Sequence, residues 1–112
     1  MRPQRQLDSR EKAKRTMEKL WQDQEKTLYL RVNGNSMGDS LPHGSTIEVK
    51  FSHHPRLRRG GLVYFRRGNL RICHRVLFAF GPLCIEKGDA NRYPHMCFRN
   101  SILGVARLVV LK

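Results

Sequence analysis

Acidic residues are scarce in this chain: nine Asp and Glu stand against 22 Lys and Arg, so a chain of 112 residues carries a formal charge of +13. Such an excess favours contact with phosphates or acidic substrates. Long apolar runs are missing too. No stretch approaches the 18 or so residues that a membrane-spanning helix needs. The opening Met1-Arg2-Pro3-Gln4-Arg5 runs on through charges to Lys19 with no apolar stretch of the kind a secretion signal carries. Cysteine is limited to Cys73, Cys84 and Cys97. Three is an odd number and no Cys-x-x-Cys occurs, which argues against a disulfide framework and a zinc knuckle and favours free thiols in a reducing cytoplasm. His53-His54 and the His95/Cys97 pair lack the spacing of a metal site, and no cofactor is expected.

What remains is enough for one domain. Apolar residues make up 39% of the chain, and after residue 27 they fall into clusters able to offset the entropy of ordering. Residues 1–27 differ: Lys, Arg, Gln and Glu dominate, and Asp8-Ser9-Arg10-Glu11 has the form of a capping box. Met17, Leu20 and Trp21 follow at helical spacing, which predicts an amphipathic helix over residues 9–26 that lays Leu20 and Trp21 on the core. From Thr27 onward short runs of Val, Ile, Leu, Tyr and Phe alternate with Gly, Pro, Asn and Ser. Strands are expected at Leu28–Val32, Thr46–Phe51, Leu62–Arg66, Leu70–Phe78, Leu83–Glu86 and Ile102–Leu111. Arg67-Gly68-Asn69 reads as a tight hairpin. The expected class is mainly β, with a basic helical segment at 1–27 and a β domain at 28–112.

Three segments hold candidate chemistry. Ser36 lies in Gly34-Asn35-Ser36-Met37, a turn-rich stretch after a strand, where a serine is ordinarily a turn residue unless a neighbour can take its proton. Of five histidines, only His74 falls within a predicted strand, and it shares a face with Ile72 and Val76. A histidine there is either a core residue satisfied by a carbonyl or a base. Asp89, in the turn Gly88-Asp89-Ala90-Asn91, either closes an Asx-turn or accepts a hydrogen bond from an imidazole.

The order of these segments resembles the S24/S26 serine peptidases, which include signal peptidases and the self-cleaving LexA-type repressor domains. The matching pieces are Val32-Asn33-Gly34-Asn35-Ser36-Met37, Gly44 with Ile47 and Val49, and Leu57-x-x-Gly60 with Val63 and Phe65. Ile72-Cys73-His74-Arg75-Val76, Lys87-Gly88-Asp89-Ala90-Asn91 and Ile102-Leu103-Gly104 complete them, so the resemblance spans about residues 28–110. It implies a coiled antiparallel β domain of the LexA/signal-peptidase type with one N-terminal helix, a peptide or protein substrate bound in extended form, and a small soluble member of the kind found in bacteria, without a membrane anchor. It implies Ser36 as nucleophile and His74 as general base, in the place where many members carry lysine. An imidazole suits the role because it titrates near neutrality. The Ser36 amide is then the first candidate to hold the oxyanion. Histidine-type members carry a further aspartate where this chain has Pro94 and His95. That leaves three arrangements: Asp89 orients His74, His95 does so through a water, or Ser36 and His74 work as a dyad. The rival reading is a non-catalytic peptide-binding or nucleic-acid-binding domain, for which Arg56, Arg58, Arg59, Arg66, Arg67, Arg71 and Arg75 supply the charge.

Overall fold

A computed structural model describes residues 8–110. One helix, α1 (Ser9–Asp23), precedes seven strands: β1 (Thr27–Arg31), β2 (Thr46–Phe51), β3 (Leu62–Arg67), β4 (Leu70–Phe80), β5 (Leu83–Lys87), β6 (His95–Phe98) and β7 (Ile102–Val110). All pair antiparallel in one sheet of order β1-β2-β7-β3-β4-β5-β6. This is the mainly β class that the patterning predicts. Short one-turn helices at Gly38–Ser40 and Arg99–Ser101 complete the described elements.

The sheet coils far enough to build a core on each of its faces. Met37, Leu41, Ile47, Val49, Phe51, Cys73 and Leu103 form one, and Val63, Phe65, Val76, Cys84, Cys97 and Ile102 form the other. Alternation along the central strands feeds both. In β3, Leu62 and Tyr64 pack on the first core while Val63 and Phe65 enter the second. In β4, Cys73 joins the first core while Ile72 and Val76 serve the second, with buried His74 on their face.

Two departures from the sequence reading have clear causes. β6 was not anticipated, because four residues that bury only Cys97 give no periodic signal. The helix ends at Asp23 rather than residue 26: Glu25 takes a φ of 50°, the left-handed conformation that stops a helix, and the chain turns directly into β1. The face α1 presents also differs from expectation. Trp21 meets Phe51 edge-on at 5.2 Å, but Met17 and Leu20 stand exposed. The buried helix residues are Glu11 and Glu18. Asp8 caps the helix by accepting from the Glu11 amide at 2.8 Å, yet the Glu11 carboxylate does not reach back. It accepts instead from Arg15 and Arg71. Arg71, on β4, also donates to both oxygens of Glu18 at 2.8 and 2.7 Å. The helix is thus fastened to the sheet by buried ion pairs as well as by Trp21.

The predicted hairpin forms. Arg67 pairs with Leu70 across a two-residue Gly68-Asn69 loop, and Gly68 supplies the positive φ (59°) that its first position requires. At the far end of β4 the ladder to β5 slips by one residue. Val76 faces Glu86 and Phe78 faces Ile85, so Leu77 is an unpaired bulge.

Candidate active site

The loop after β1 is positioned from both ends. Val32 donates to the Ser45 carbonyl and accepts from Gly44, and the Gly34 amide donates to His43 Nδ1 at 2.9 Å. Met37 is sunk in the first core, which leaves its neighbour Ser36 at the loop surface. The Gly88-Asp89-Ala90 turn closes over the same loop: the Ala90 amide donates to the Ser36 carbonyl at 2.8 Å. Gly88 is packed so tightly there that a Cβ would lie 2.5 Å from the Ser36 carbonyl oxygen and 2.9 Å from its Cβ. Only glycine fits without moving the serine.

This arrangement brings Ser36 and His74 together. Ser36 Oγ lies 2.9 Å from His74 Nε2. The other ring nitrogen, Nδ1, lies 2.6 Å from Oε1 of Glu86. Glu86 is fully buried, and its second oxygen accepts from Arg67. Burial would raise the Glu86 carboxyl, but the hydrogen bonds from His74 and Arg67 and the Arg67 charge outweigh it, and its pKa lies below the ordinary value. An ionised Glu86 can only accept, so Nδ1 carries a ring proton and Nε2 is the nitrogen that faces Ser36 Oγ. The Phe65 ring meets His74 edge-on at 5.7 Å, and the Arg67 guanidinium lies over Phe65 at 5.0 Å.

The carboxylate at His74 is therefore Glu86, not Asp89. Asp89 turns its oxygens to Arg75, which donates from Nε at 2.9 Å and from Nη2 at 2.8 Å. Those hydrogen bonds lower its pKa. Its backbone still serves the site, since the Asp89 amide contacts Met37 Sδ at 3.3 Å. His95 stands exposed on β6, opposite Glu86 in register. Sequence reasoning passed over Glu86, although one signal for it was present: Cys84 and Glu86 share a phase along β5, so a buried Cys84 implies a buried acid two residues on.

Arg66, Arg67, Arg71 and Arg75, grouped in the sequence as one basic patch, each meet a carboxylate: Glu18, Glu86, Glu18 with Glu11, and Asp89 respectively. Each of these four charges is thus answered by an acid of the same chain. Beside Ser36 and His74 lies a cleft of about 340 Å³ walled by Val32, Gly34, Leu70, Ile72 and Asn91 among others. On its β4 side the backbone from Leu70 to His74 pairs only with β3, because pairing with β5 begins at Arg75. A length of strand edge thus runs past the serine. Among the described residues, no three His, Cys, Asp or Glu side chains gather as a metal site.

Residues 2–81 match the model of a family described as Peptidase S24-like. The chain belongs to that family. The matched segment includes Ser36 and His74 and ends before Glu86 and Asp89. Comparison with characterised proteins gives no match. The S24-like assignment agrees with the antiparallel β architecture, and no helix among the described residues is long and apolar enough to cross a membrane.

Proposed function

We propose that this S24-like protein is a serine endopeptidase acting through Ser36, His74 and Glu86 on a peptide or protein segment held in extended form. The chain of hydrogen bonds from Ser36 Oγ to His74 Nε2 and from His74 Nδ1 to Glu86 carries the reading. In the first step Nε2 takes the Ser36 proton as Oγ attacks the scissile carbonyl. Glu86 stabilises the imidazolium that forms, and Arg67 fixes the carboxylate that does so. The negative charge on the tetrahedral intermediate falls to backbone amides, that of Ser36 first. His74 then returns its proton to the departing amine, leaving an acyl-Ser36 ester. Water, deprotonated by the same nitrogen, hydrolyses the ester to a carboxylate and free Ser36. The open β4 edge from Leu70 to His74 supports an extended substrate, since main-chain hydrogen bonds there would lay a peptide across the serine.

The test is covalent labelling. A fluorophosphonate probe should modify wild-type protein at Ser36, and both Ser36→Ala and His74→Ala should abolish the signal. Incubation with a peptide library should yield products that require Ser36. Equal labelling of all three proteins overturns the reading, and labelling without any Ser36-dependent product reduces it to a peptide-binding relative.

A further inference from the structure

Past the bulge at Leu77, β4, β5 and β6 turn an unpartnered apolar face outward. Cys84 and Cys97 point inward as a cross-strand pair in the second core, so the alternate residues form the opposite face. Two rows cross three strands: Phe78 beside Ile85 beside Met96, and Phe80 beside Leu83 beside Phe98. Phe78, Phe80, Met96 and Phe98 are 57, 72, 54 and 58% exposed, and the two β4 rings lie nearly parallel, 6.4 Å apart. Scattered exposed apolar residues are ordinary, but two aligned rows of them mark a contact surface.

The chain segments that build this face are poor in acids. From residue 70 to the end of the chain the only acids are Glu86 and Asp89; the first is buried on His74 and Arg67, and the second is held by Arg75. Arg92 precedes β6 and Arg99 follows it in the chain, Arg99 with its Nε on the Gly81 carbonyl and its other nitrogens left to meet an anion. We propose that this face docks on an anionic lipid bilayer, with Phe78, Phe80, Met96 and Phe98 entering the interface and the arginines meeting headgroup phosphates. Apolar side chains together with excess positive charge are the two signals that interfacial binding needs. A second copy is a poorer occupant because each copy brings a charge of +13. An acidic protein would need a surface shaped to these projecting rings, whereas a fluid interface closes around them.

Vesicle co-sedimentation tests this. At moderate salt, wild-type protein should pellet with phosphatidylglycerol/phosphatidylcholine vesicles and much less with phosphatidylcholine alone. The double variant Phe80→Ser/Phe98→Ser, which keeps every charge, should bind the anionic vesicles about tenfold more weakly. Its circular dichroism and melting curve should match wild type, since both rings are exposed. Ser36→Ala should bind as wild type does, so the result is independent of peptidase activity. Equal binding by the double variant would mean that charge alone attracts the protein, and would overturn the proposal. So would failure of wild type to bind, or self-association in sedimentation velocity that the double variant abolishes without any vesicle binding.

Discussion

Strand β4 separates two buried carboxylate clusters that differ in what answers the acids. On one face, Arg71 is gripped by Glu11 and Glu18 of the helix. On the other, Glu86 is held by Arg67 and by the imidazole of His74. Glu11 and Glu86 are both held below the ordinary carboxyl value, Glu86 by its bonds from His74 and Arg67 against its burial, and Glu11 down to about 2 by hydrogen bonds from Arg71 and Arg15. Where guanidinium groups alone answer the carboxylates, no proton can move at working pH, and the cluster can only fasten one element to another. Where an imidazole is interposed and its far nitrogen touches a hydroxyl, the same buried charge becomes able to support proton transfer. The imidazole is what lets the second cluster do more than fasten.

The comparison can be broken in several ways. Glu86→Gln keeps the shape but removes the charge behind His74, and the rate of probe labelling at Ser36 should fall by about 10³–10⁴-fold, in line with loss of the orienting carboxylate in serine hydrolases. A fall under about tenfold would make Glu86 a core residue only. Arg71→Ala strikes the other face. It leaves two buried carboxylates without their shared partner and should lower the unfolding free energy in urea by about 3–5 kcal/mol. Labelling by the fraction that stays folded should change by less than about tenfold, because Arg71 lines the cleft but makes no hydrogen bond to Ser36, His74 or Glu86; a collapse of labelling with native stability would show the clusters to be coupled.

Gly88→Ala tests the turn that seats Ser36. The added methyl group must displace Ser36, so labelling should slow by about tenfold or more while stability falls by about 1–3 kcal/mol. The mildest effect concerns pH. Glu11 has a folded value of about 2 against an ordinary 4.5, so its contribution to stability is fully present above about pH 4.5 and is lost as pH falls toward 2. Glu86 is shifted in the same direction and adds to the decline. Urea midpoints followed from pH 7 downward should therefore drop in that acid window, and Arg71→Ala should show a shallower drop than wild type.

How much of this the sequence displays depends on the reach of each interaction. β2 and the Gly68 hairpin were legible because alternation and turn chemistry are local. Ser36 and His74 were legible only through the order of several segments, since nothing near either residue reports that they meet. Glu86 was overlooked because its partner across the ladder is set by the bulge at Leu77, which a regular alternation does not foretell. The helix face was misjudged for a related reason. Met17 and Leu20 make the obvious stripe, but Arg71, distant in sequence, draws Glu11 and Glu18 inward instead. Long-range ion pairs can reverse a face that hydrophobicity alone assigns.

The extra residue at Leu77 works as a change of parity. Up to Val76, even-numbered positions of β4 look toward the His74 side; after the slip, Ala79 looks inward and Phe78 and Phe80 look out. Were the same residues to run through without the bulge, strict alternation would turn Phe78 and Phe80 inward against Cys84, whereas deleting Leu77 itself would leave both rings outside. The outward rings thus keep their side only because one residue of β4 stands outside the pairing.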